Sequence, residues 1–174
     1  MLKRVFSKAA IFLVSSVLGM TLAGCHPAAL VVPSYIQSVG VSTFENNTSY
    51  YGLDTALTQA TVRQFQIDGR LPVEDPVRAD LVVKAIVQQY IEQPIFFDTK
   101  TNNVLQYQIS VVYDLAAVDR RENKIFIEDK TKNHSVYYYT PEYTGAISQT
   151  KDAAVSQLSE EIGRAIVRRV LQGY

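Results

Sequence analysis

Side chains suited to catalysis are few in this chain of 174 residues, which has one cysteine, Cys25, and two histidines, His26 and His134. No pair of His, Cys or carboxylate residues stands at the spacing of a zinc site, and neither a glycine-rich phosphate loop nor a G-x-S-x-G motif occurs. An enzyme needs acids, bases and nucleophiles brought together. The sequence therefore predicts a non-enzymatic protein with no catalytic, metal or cofactor site, in which both histidines are ordinary surface residues.

Cys25 nevertheless lies in a pattern with a chemistry of its own. A basic stretch at residues 3–8 precedes an apolar run of about fourteen residues, and small residues follow, which is the layout of a secretory signal peptide. The tetrapeptide Leu22-Ala23-Gly24-Cys25 resembles the bacterial lipobox, in which the cysteine sulfur takes a diacylglyceryl group before cleavage. We therefore expect residues 1–24 to be a lipoprotein signal peptide and Cys25 to be the lipidation site.

This pattern also limits the kinds of partner that the mature chain can have. Two acyl chains are enough for stable membrane anchoring, whereas the apolar run is shorter than the roughly twenty residues of a transmembrane helix. Removal of residues 1–24 takes away three basic and no acidic residues, which leaves 14 basic and 17 acidic residues and a formal charge of −3. The sequence therefore predicts attachment to a membrane through lipid, and no nucleic-acid partner.

After the lipidation site, the pattern of the chain predicts a short tether and one domain. Residues 25–34 contain two prolines, which disfavour regular structure, and residues 35–174 suit a single domain. Hydrophobic periodicity predicts the following elements: strand 35–44, polar turn 45–49, helix 53–68, long strand Ala79–Ile91, loop Gln93–Asn103, strand 105–115, turn 119–123, strand Lys124–Tyr139 with an exposed polar middle, and a long amphipathic helix from about Gln149 to Leu171.

The order of these elements predicts an α/β fold. A strand-helix-strand crossover normally makes a parallel pair, and the two later connections are short enough for antiparallel hairpins. We expect a two-layer sandwich with two helices packed on one face of a mixed four-stranded sheet, in the order β-α-β-β-β-α. Alternation along the long strand places the odd-numbered residues from Leu81 to Val87 on one face. Lys84, Ile86 and Tyr90 are expected on the other.

Tyrosine is the other unusual feature, because the chain has eleven tyrosines and no tryptophan. Four of them lie near Pro141: Tyr137, Tyr138, Tyr139 and Tyr143. Such residues are favoured at interfaces, where the ring packs and the hydroxyl stays wet. The cluster indicates either a partner surface or a strand end whose alternate tyrosines enter the core, and the two interpretations stand equal.

Three segments resemble the LptE-like lipopolysaccharide-assembly lipoprotein family: Ile36–Phe44 followed by Glu45-Asn46-Asn47-Thr48, Ala79–Val83 leading to Tyr90 and Pro94, and Leu105–Ile109. The resemblance runs from Ile36 to the last helix and rests on the order of degenerate apolar patterns. It implies the same fold of two helices on a four-stranded sheet. One departure is that His26-Pro27-Ala28 follows the cysteine, where many members have Gly-Tyr.

The resemblance also implies a function and partners. Members lie on the periplasmic side of the outer membrane, plug a β-barrel lipopolysaccharide translocon and act with it on lipopolysaccharide. Basic residues in the family flank the loop between the second and third strands and precede the last helix, which implies ligand-binding roles for Lys100 and Lys151. The alternative is a lipoprotein activator of a peptidoglycan synthase or a pilot of a secretion channel.

Overall fold

The computed structural model describes residues 32–143 and 150–172. The helices and strands in these ranges are β1 (Val39–Val41), β2 (Glu45–Asn46), α1 (Leu53–Asp68), β3 (Leu81–Phe97), β4 (Val104–Asp119), β5 (Lys124–Tyr139) and α2 (Lys151–Gln172). No helix within them is long and apolar enough to cross a membrane. The signal peptide, Cys25 and most of the tether lie outside the described residues, so those expectations remain predictions.

The strands form one mixed sheet in the order β1-β3-β4-β5. The short strands β1 and β2 pair with β3 in parallel, one after the other along the same edge, while β3-β4 and β4-β5 pair antiparallel. The two-layer α/β fold is therefore confirmed, with two differences at its start: β1 is shorter than the predicted strand 35–44, and a fifth strand, β2, begins where the sequence predicted a turn. The first residues of the predicted turn join the sheet because the backbone continues alongside β3. There Asn47 N–H donates a hydrogen bond to Val87 O at 2.9 Å.

The two helices form a close pair over one face of the sheet. Helix α1 ends at Gly69, whose φ of 70° and N–H bond to Phe65 O close the last turn. In α2, the Thr150 hydroxyl accepts a hydrogen bond from Ala153 N at 3.2 Å and so begins the helix. At the crossing, a Cβ added to Gly163 would stand 3.1 Å from the backbone of Ala60. A glycine is therefore what allows the helices to approach this closely.

The core lies between these helices and the covered face of the sheet. Buried side chains from the centre of the sheet and from α2 include Leu81, Val83, Val87, Ile109, Val111, Leu115, Leu158, Ile162 and Ile166. Each fully buried side chain of this kind contributes about 1.5–3 kcal/mol relative to exposure. The predicted apolar face from Leu81 to Val87 is therefore confirmed as the buried one.

Strand β3 is longer than its sequence predicted, because it runs through Pro94 to Phe97. Only residues 98–103 form the connection to β4, so the predicted loop from Gln93 was wrong in its first half. Pro94 pairs with Tyr107 of β4, and beyond Val87 no described strand pairs with the other edge of β3. Proline is tolerated in a strand at such an edge, because its missing N–H is not needed there.

A register shift in β3 changes which side chains face the helices. Val87 pairs with Tyr113, whereas Gln89 pairs with Val112, the neighbour of Tyr113 in β4. Two residues of β3 thus stand against one of β4, and Gln88 is the extra residue. Such a bulge moves the side chains that follow it, here as far as Pro94, to the face opposite to the one that simple alternation predicts. The expectation that Tyr90 lies opposite Val87 was therefore wrong, because both side chains lie on the helix-covered face.

Candidate functional site

The far end of the sheet, next to the 98–103 turn, has an open face without charge. We call this surface the neutral face and define it by the residues that the strand register places on it: Gln89, Ile91, Gln93, Phe96, Gln106, Gln108, Ser110, Val112, Asn133, Ser135, Tyr137 and Tyr139. None of these side chains is ionisable at neutral pH. The other half of the same open face carries charges, among them Lys84, Asp114 and Glu128.

Amide and aromatic side chains order the neutral face. Gln93 Nε2 donates to Gln108 Oε1 at 3.0 Å, and Gln108 Nε2 donates to the Tyr137 hydroxyl at 3.4 Å, so one chain of hydrogen bonds crosses all three strands. Apolar area nevertheless remains in water, because Ile91 is 43%, Phe96 46% and Tyr137 48% exposed. The neutral face thus offers both exposed apolar area and hydrogen-bonding groups.

An aromatic cluster extends the neutral face beyond β5. Tyr143 stacks on Tyr139 with ring centroids 4.8 Å apart and meets Phe96 edge-on at 6.1 Å. Aromatic pairs at these distances add about 0.5–1.5 kcal/mol beyond the area that they bury. The three rings therefore hold the residues after β5 against the sheet end.

On the opposite side of the same strands, Glu92 joins the sheet to the first residue of α2. Its carboxylate accepts hydrogen bonds from the Lys151 ammonium and from the Tyr138 hydroxyl. Burial disfavours the charged carboxylate, but the bonds from Lys151 and Tyr138 outweigh it and lower the pKa of Glu92. Lys151 is therefore a partner of Glu92 in this structure, at the start of α2.

Two further tyrosines surround this ion pair. Tyr50 stacks on Tyr90 at 4.5 Å, and the Lys151 ammonium lies 5.5 and 5.7 Å from the two ring centroids, within cation-π range. The Tyr90 hydroxyl is buried and makes no hydrogen bond of normal geometry with the described residues. Burial, with the nearby charge of Glu92, raises the pKa of Tyr90. This hydroxyl stays protonated at physiological pH.

Lys100 lies apart from Lys151, at the tip of the β3-β4 turn. Its backbone N–H donates to Asp98 Oδ1 at 2.8 Å, and its ammonium forms no salt bridge within the described ranges. Five residues of β3 separate Glu92 from the turn, roughly 17 Å at the usual rise of a strand. The structure therefore does not bring the two lysines together, and only Lys100 presents an unpaired ammonium.

Tyrosines near Pro141 alternate between the two faces of β5, and whether those on the open face contact a partner stays a prediction. Tyr137 is exposed on the neutral face, whereas Tyr138 points to the other side, stacks on Tyr107 at 5.2 Å and binds Glu92. The pairing of Glu92 with Lys151 has no signal in the sequence, because the bulge at Gln88 decides the face of Glu92 and no residue type indicates that bulge. Alternation about the bulge would have placed it correctly.

His134, expected to be an ordinary surface residue, is half-buried. Its ring stacks on Tyr113 with centroids 5.9 Å apart, and its Nδ1 is buried without a hydrogen-bond partner among the described residues. Within residues 32–143 and 150–172, no group of three or more His, Cys, Asp and Glu residues is placed to hold a metal ion.

Comparison with known proteins decides the family. Residues 36–170 match the family model described as LptE, lipopolysaccharide-assembly, a span that takes in every strand and nearly all of both helices described above. The chain belongs to the LptE family. The predicted family is thereby confirmed, and this LptE chain is a member of a lipopolysaccharide-assembly family. No curated protein matches it significantly.

Several solved structures align with this LptE chain at low sequence identity. A hypothetical protein from Chlamydia trachomatis aligns with a TM-score of 0.51 and 16% identity, over 79% of this chain and 96% of that one. Lipoprotein GNA1162 from Neisseria meningitidis aligns with a TM-score of 0.45 and 12% identity, over 76% and 96%. The rare lipoprotein B from Shewanella oneidensis aligns at 0.40 and 15%, over 75% and 89%. The first of these likenesses supports the fold.

Proposed function

We propose that this LptE chain is a lipoprotein of the outer membrane, anchored on the periplasmic side by lipid on Cys25, that partners a β-barrel translocon in lipopolysaccharide transport. In this role it is a plug of the barrel and a chaperone for lipopolysaccharide, without catalysis. Family membership supports the process, and the lipobox at residues 22–25 supports the anchor. The neutral face is the observation that supports the barrel as partner.

The chemistry of the neutral face matches the inside of a large β-barrel. Interiors of such barrels are polar, so a surface that enters one must offer hydrogen bonds to the wall. Amide and hydroxyl groups such as those of Gln106, Gln108 and Ser135 do this without the high cost of removing a charge from water. Exposed rings such as Phe96 and Tyr137 add apolar contact area, as at many protein interfaces.

Lipopolysaccharide would meet the lysines of the same end of the domain. An ammonium is a compact, strongly hydrated point charge suited to phosphate groups, and Lys100 presents one at the tip of the turn. Lys151 remains a proposed ligand residue as well, but its ammonium must leave Glu92 to contact a phosphate. Lys100 therefore carries the larger part of the proposed contact.

Co-purification with matched variants tests the barrel partnership. The full-length tagged lipoprotein is extracted from membranes as wild type, as Phe96→Glu with Tyr137→Glu on the neutral face, and as the control Ile67→Glu with Val77→Glu. The control pair is also apolar and exposed, at 75% and 76%, but lies outside the neutral face. We expect wild type and control to retain an outer-membrane barrel, and the neutral-face variant to lose most of it.

Two outcomes would count against this function. A folded neutral-face variant that retains the barrel as well as wild type would show that this surface is not the contact. Recovery of a peptidoglycan synthase or a secretin with wild type, in place of a barrel, would favour the alternative of an activator or pilot lipoprotein. Circular dichroism of each variant separates loss of contact from loss of fold.

A further inference from the structure

A cavity of about 260 Å³ lies between the edge strand β5 and helix α2, away from the neutral face. Its lining consists of Tyr113, Leu115, Asp129, Lys132, His134, Ala165, Arg168 and Arg169. Three of these eight side chains are cations and one is an anion. We propose that this cavity binds a phosphate-type oxyanion, with Arg168 and Lys132 as the charged contacts and His134 as a hydrogen-bond donor.

The only acid in the lining, Asp129, is already neutralised. Arg169 donates to both of its oxygens, at 2.6 and 3.0 Å, and the Lys132 ammonium lies 3.4 Å from Asp129 as a second cation. The hydrogen bonds from Arg169 lower the pKa of Asp129 against its burial, so the carboxylate stays ionised and keeps Arg169 in place. One negative charge thus faces two positive ones, which leaves the Lys132 charge uncompensated.

Arg168 adds a guanidinium that has no ion pair among the described residues. It is exposed on α2, directly before the fixed Arg169, and lines the cavity. A guanidinium offers a planar fork of donors that matches two oxygens of a phosphate. Beyond the lining, Glu161 is an acid whose charge acts on His134, and it accepts a hydrogen bond from Gln157 at 2.9 Å. Even with Glu161 included, the cations around the cavity outnumber the anions by three to two.

His134 supplies an uncharged donor at the same wall. Burial lowers the pKa of His134, Glu161 opposes this, and the positive charges of Arg168 and Lys132 lower it further. A neutral imidazole carries one N–H and one acceptor nitrogen. Since Nδ1 is buried and bonds to nothing in the part of the chain that the structure describes, the ring proton is free to reside on Nε2. An N–H donor there would add a hydrogen bond to a bound oxyanion without a further charge.

The size of the cavity points to more than a bare ion. A volume of about 260 Å³ exceeds that of one phosphate group, and the ring of Tyr113 and the side chain of Leu115 offer an apolar floor to the carbon atoms of an ester. The ligand chemistry is therefore a phosphate or phosphate monoester, from solution or from a lipid headgroup. The cavity residues are distinct from Lys100 and Lys151, so this site stands or falls independently of the barrel partnership.

The experiment titrates the full-length lipoprotein in neutral detergent with inorganic phosphate and, separately, with water-soluble dihexanoyl phosphatidic acid. The readout is the NMR signal of the His134 ring together with the melting temperature. Variants are Arg168→Glu, Lys132→Gln and the control Arg164→Glu, which makes the same charge change one helical turn earlier, outside the cavity lining. We expect saturable binding by wild type and control, and at least tenfold weaker binding by Arg168→Glu.

Each result has a defined meaning. Saturation by phosphate and by the lipid supports a site that binds phosphate groups from either source. Saturation by the lipid alone supports a site for a lipid headgroup. Equal weakening by Arg168→Glu and Arg164→Glu would show general surface attraction and overturn the proposal. Absence of saturable binding by either probe would also overturn it. Lys132→Gln keeps the test decisive if Arg168→Glu fails to fold.

Discussion

Glu92 of β3 and Lys151, the first residue of α2, form an ion pair across the junction of sheet and helix. The pair lies beside the stacked rings of Tyr50 and Tyr90, with Tyr138 bound to the same carboxylate. Partial burial reduces screening by salt, so this contact is stronger than an ordinary surface pair. It fixes the start of α2 and competes with any other anion for Lys151.

Substitution of Glu92 separates the two roles of Lys151. In Glu92→Gln the side chain keeps its shape but loses its charge, so the ammonium becomes available to other anions. We expect binding of lipopolysaccharide to increase relative to wild type, with a steeper dependence on salt, and a lower melting temperature. Binding measured at two ionic strengths checks this. Unchanged binding with lowered stability would mean that Lys151 has a structural role alone.

Charge reversal of Lys100 tests the tip of the turn. Lys100→Glu replaces attraction to phosphate by repulsion, and exposed substitutions usually change stability by no more than about 0.5 kcal/mol. We expect weaker binding of lipopolysaccharide at low salt, a smaller difference at high salt, and an unchanged melting temperature. The control is Lys124→Glu, an exposed lysine at the start of β5, in another part of the sheet. Equal effects of both substitutions would refute a specific role for Lys100.

Gly40 allows β1 to pass close to the turn before β3. A Cβ added to Gly40 would stand 2.6 Å from Pro76 Cα and 3.0 Å from Ala79 Cβ, closer than packed atoms tolerate. Overpacking of this kind costs about 1–3 kcal/mol. We therefore expect Gly40→Ala to lower the free energy of unfolding by that amount, measured by urea denaturation. Wild-type stability of this variant would mean that the turn moves aside at little cost.

Asp119 makes stability depend on pH. The hydrogen bond from Tyr35 lowers the pKa of Asp119 despite its burial, and the backbone N–H groups of Glu122 and Arg121 lower it further. A carboxyl whose pKa is lower in the folded state stabilises the fold above its unfolded pKa of about 3.9 and loses this contribution as pH falls through the folded pKa. We expect wild type to exceed Asp119→Asn in stability at pH 7, and the difference to shrink below about pH 4.

The lipid anchor is tested at Cys25. Because the sulfur accepts the diacylglyceryl group before cleavage, Cys25→Ser should leave an uncleaved or mislocalised precursor. Membrane fractionation with metabolic labelling by fatty acid measures both effects. Normal processing and membrane retention of the variant would contradict a lipoprotein anchor at this position.

Periodicity predicted most of the fold, because amphipathic patterns report which face of an element is buried. Helix α1 and strand β5 have the bounds that their sequences indicated, and the exposed polar middle of β5 lies at the edge of the sheet. Pro94 made the predicted strand too short, since a proline indicates a strand end unless its strand is known to lie at an edge. That position depends on which strands are neighbours, which is a long-range property.

The candidate sites were harder to predict for the same reason. Lys100 and Lys151 were inferred from family resemblance, and nothing in their local sequence shows that one is free and the other is bound to Glu92. The neutral face combines alternate residues of three strands, so it exists only in the correct register. Similarly, the charges around His134 come from β5 and α2, more than thirty residues apart in the chain.

The extra residue at Gln88 sets which face each side chain of β3 takes as far as Pro94. As far as Pro94, where the register shifts again, a side chain's face depends on whether its distance from Gln88 is odd or even, so deletion of this one residue would exchange inside and outside for residues 89–94. Ile91 would turn under the helices and Glu92 would lose Lys151. Length changes between Gln88 and Pro94 are therefore tolerable in steps of two, and single insertions or deletions there should be absent from functional variants.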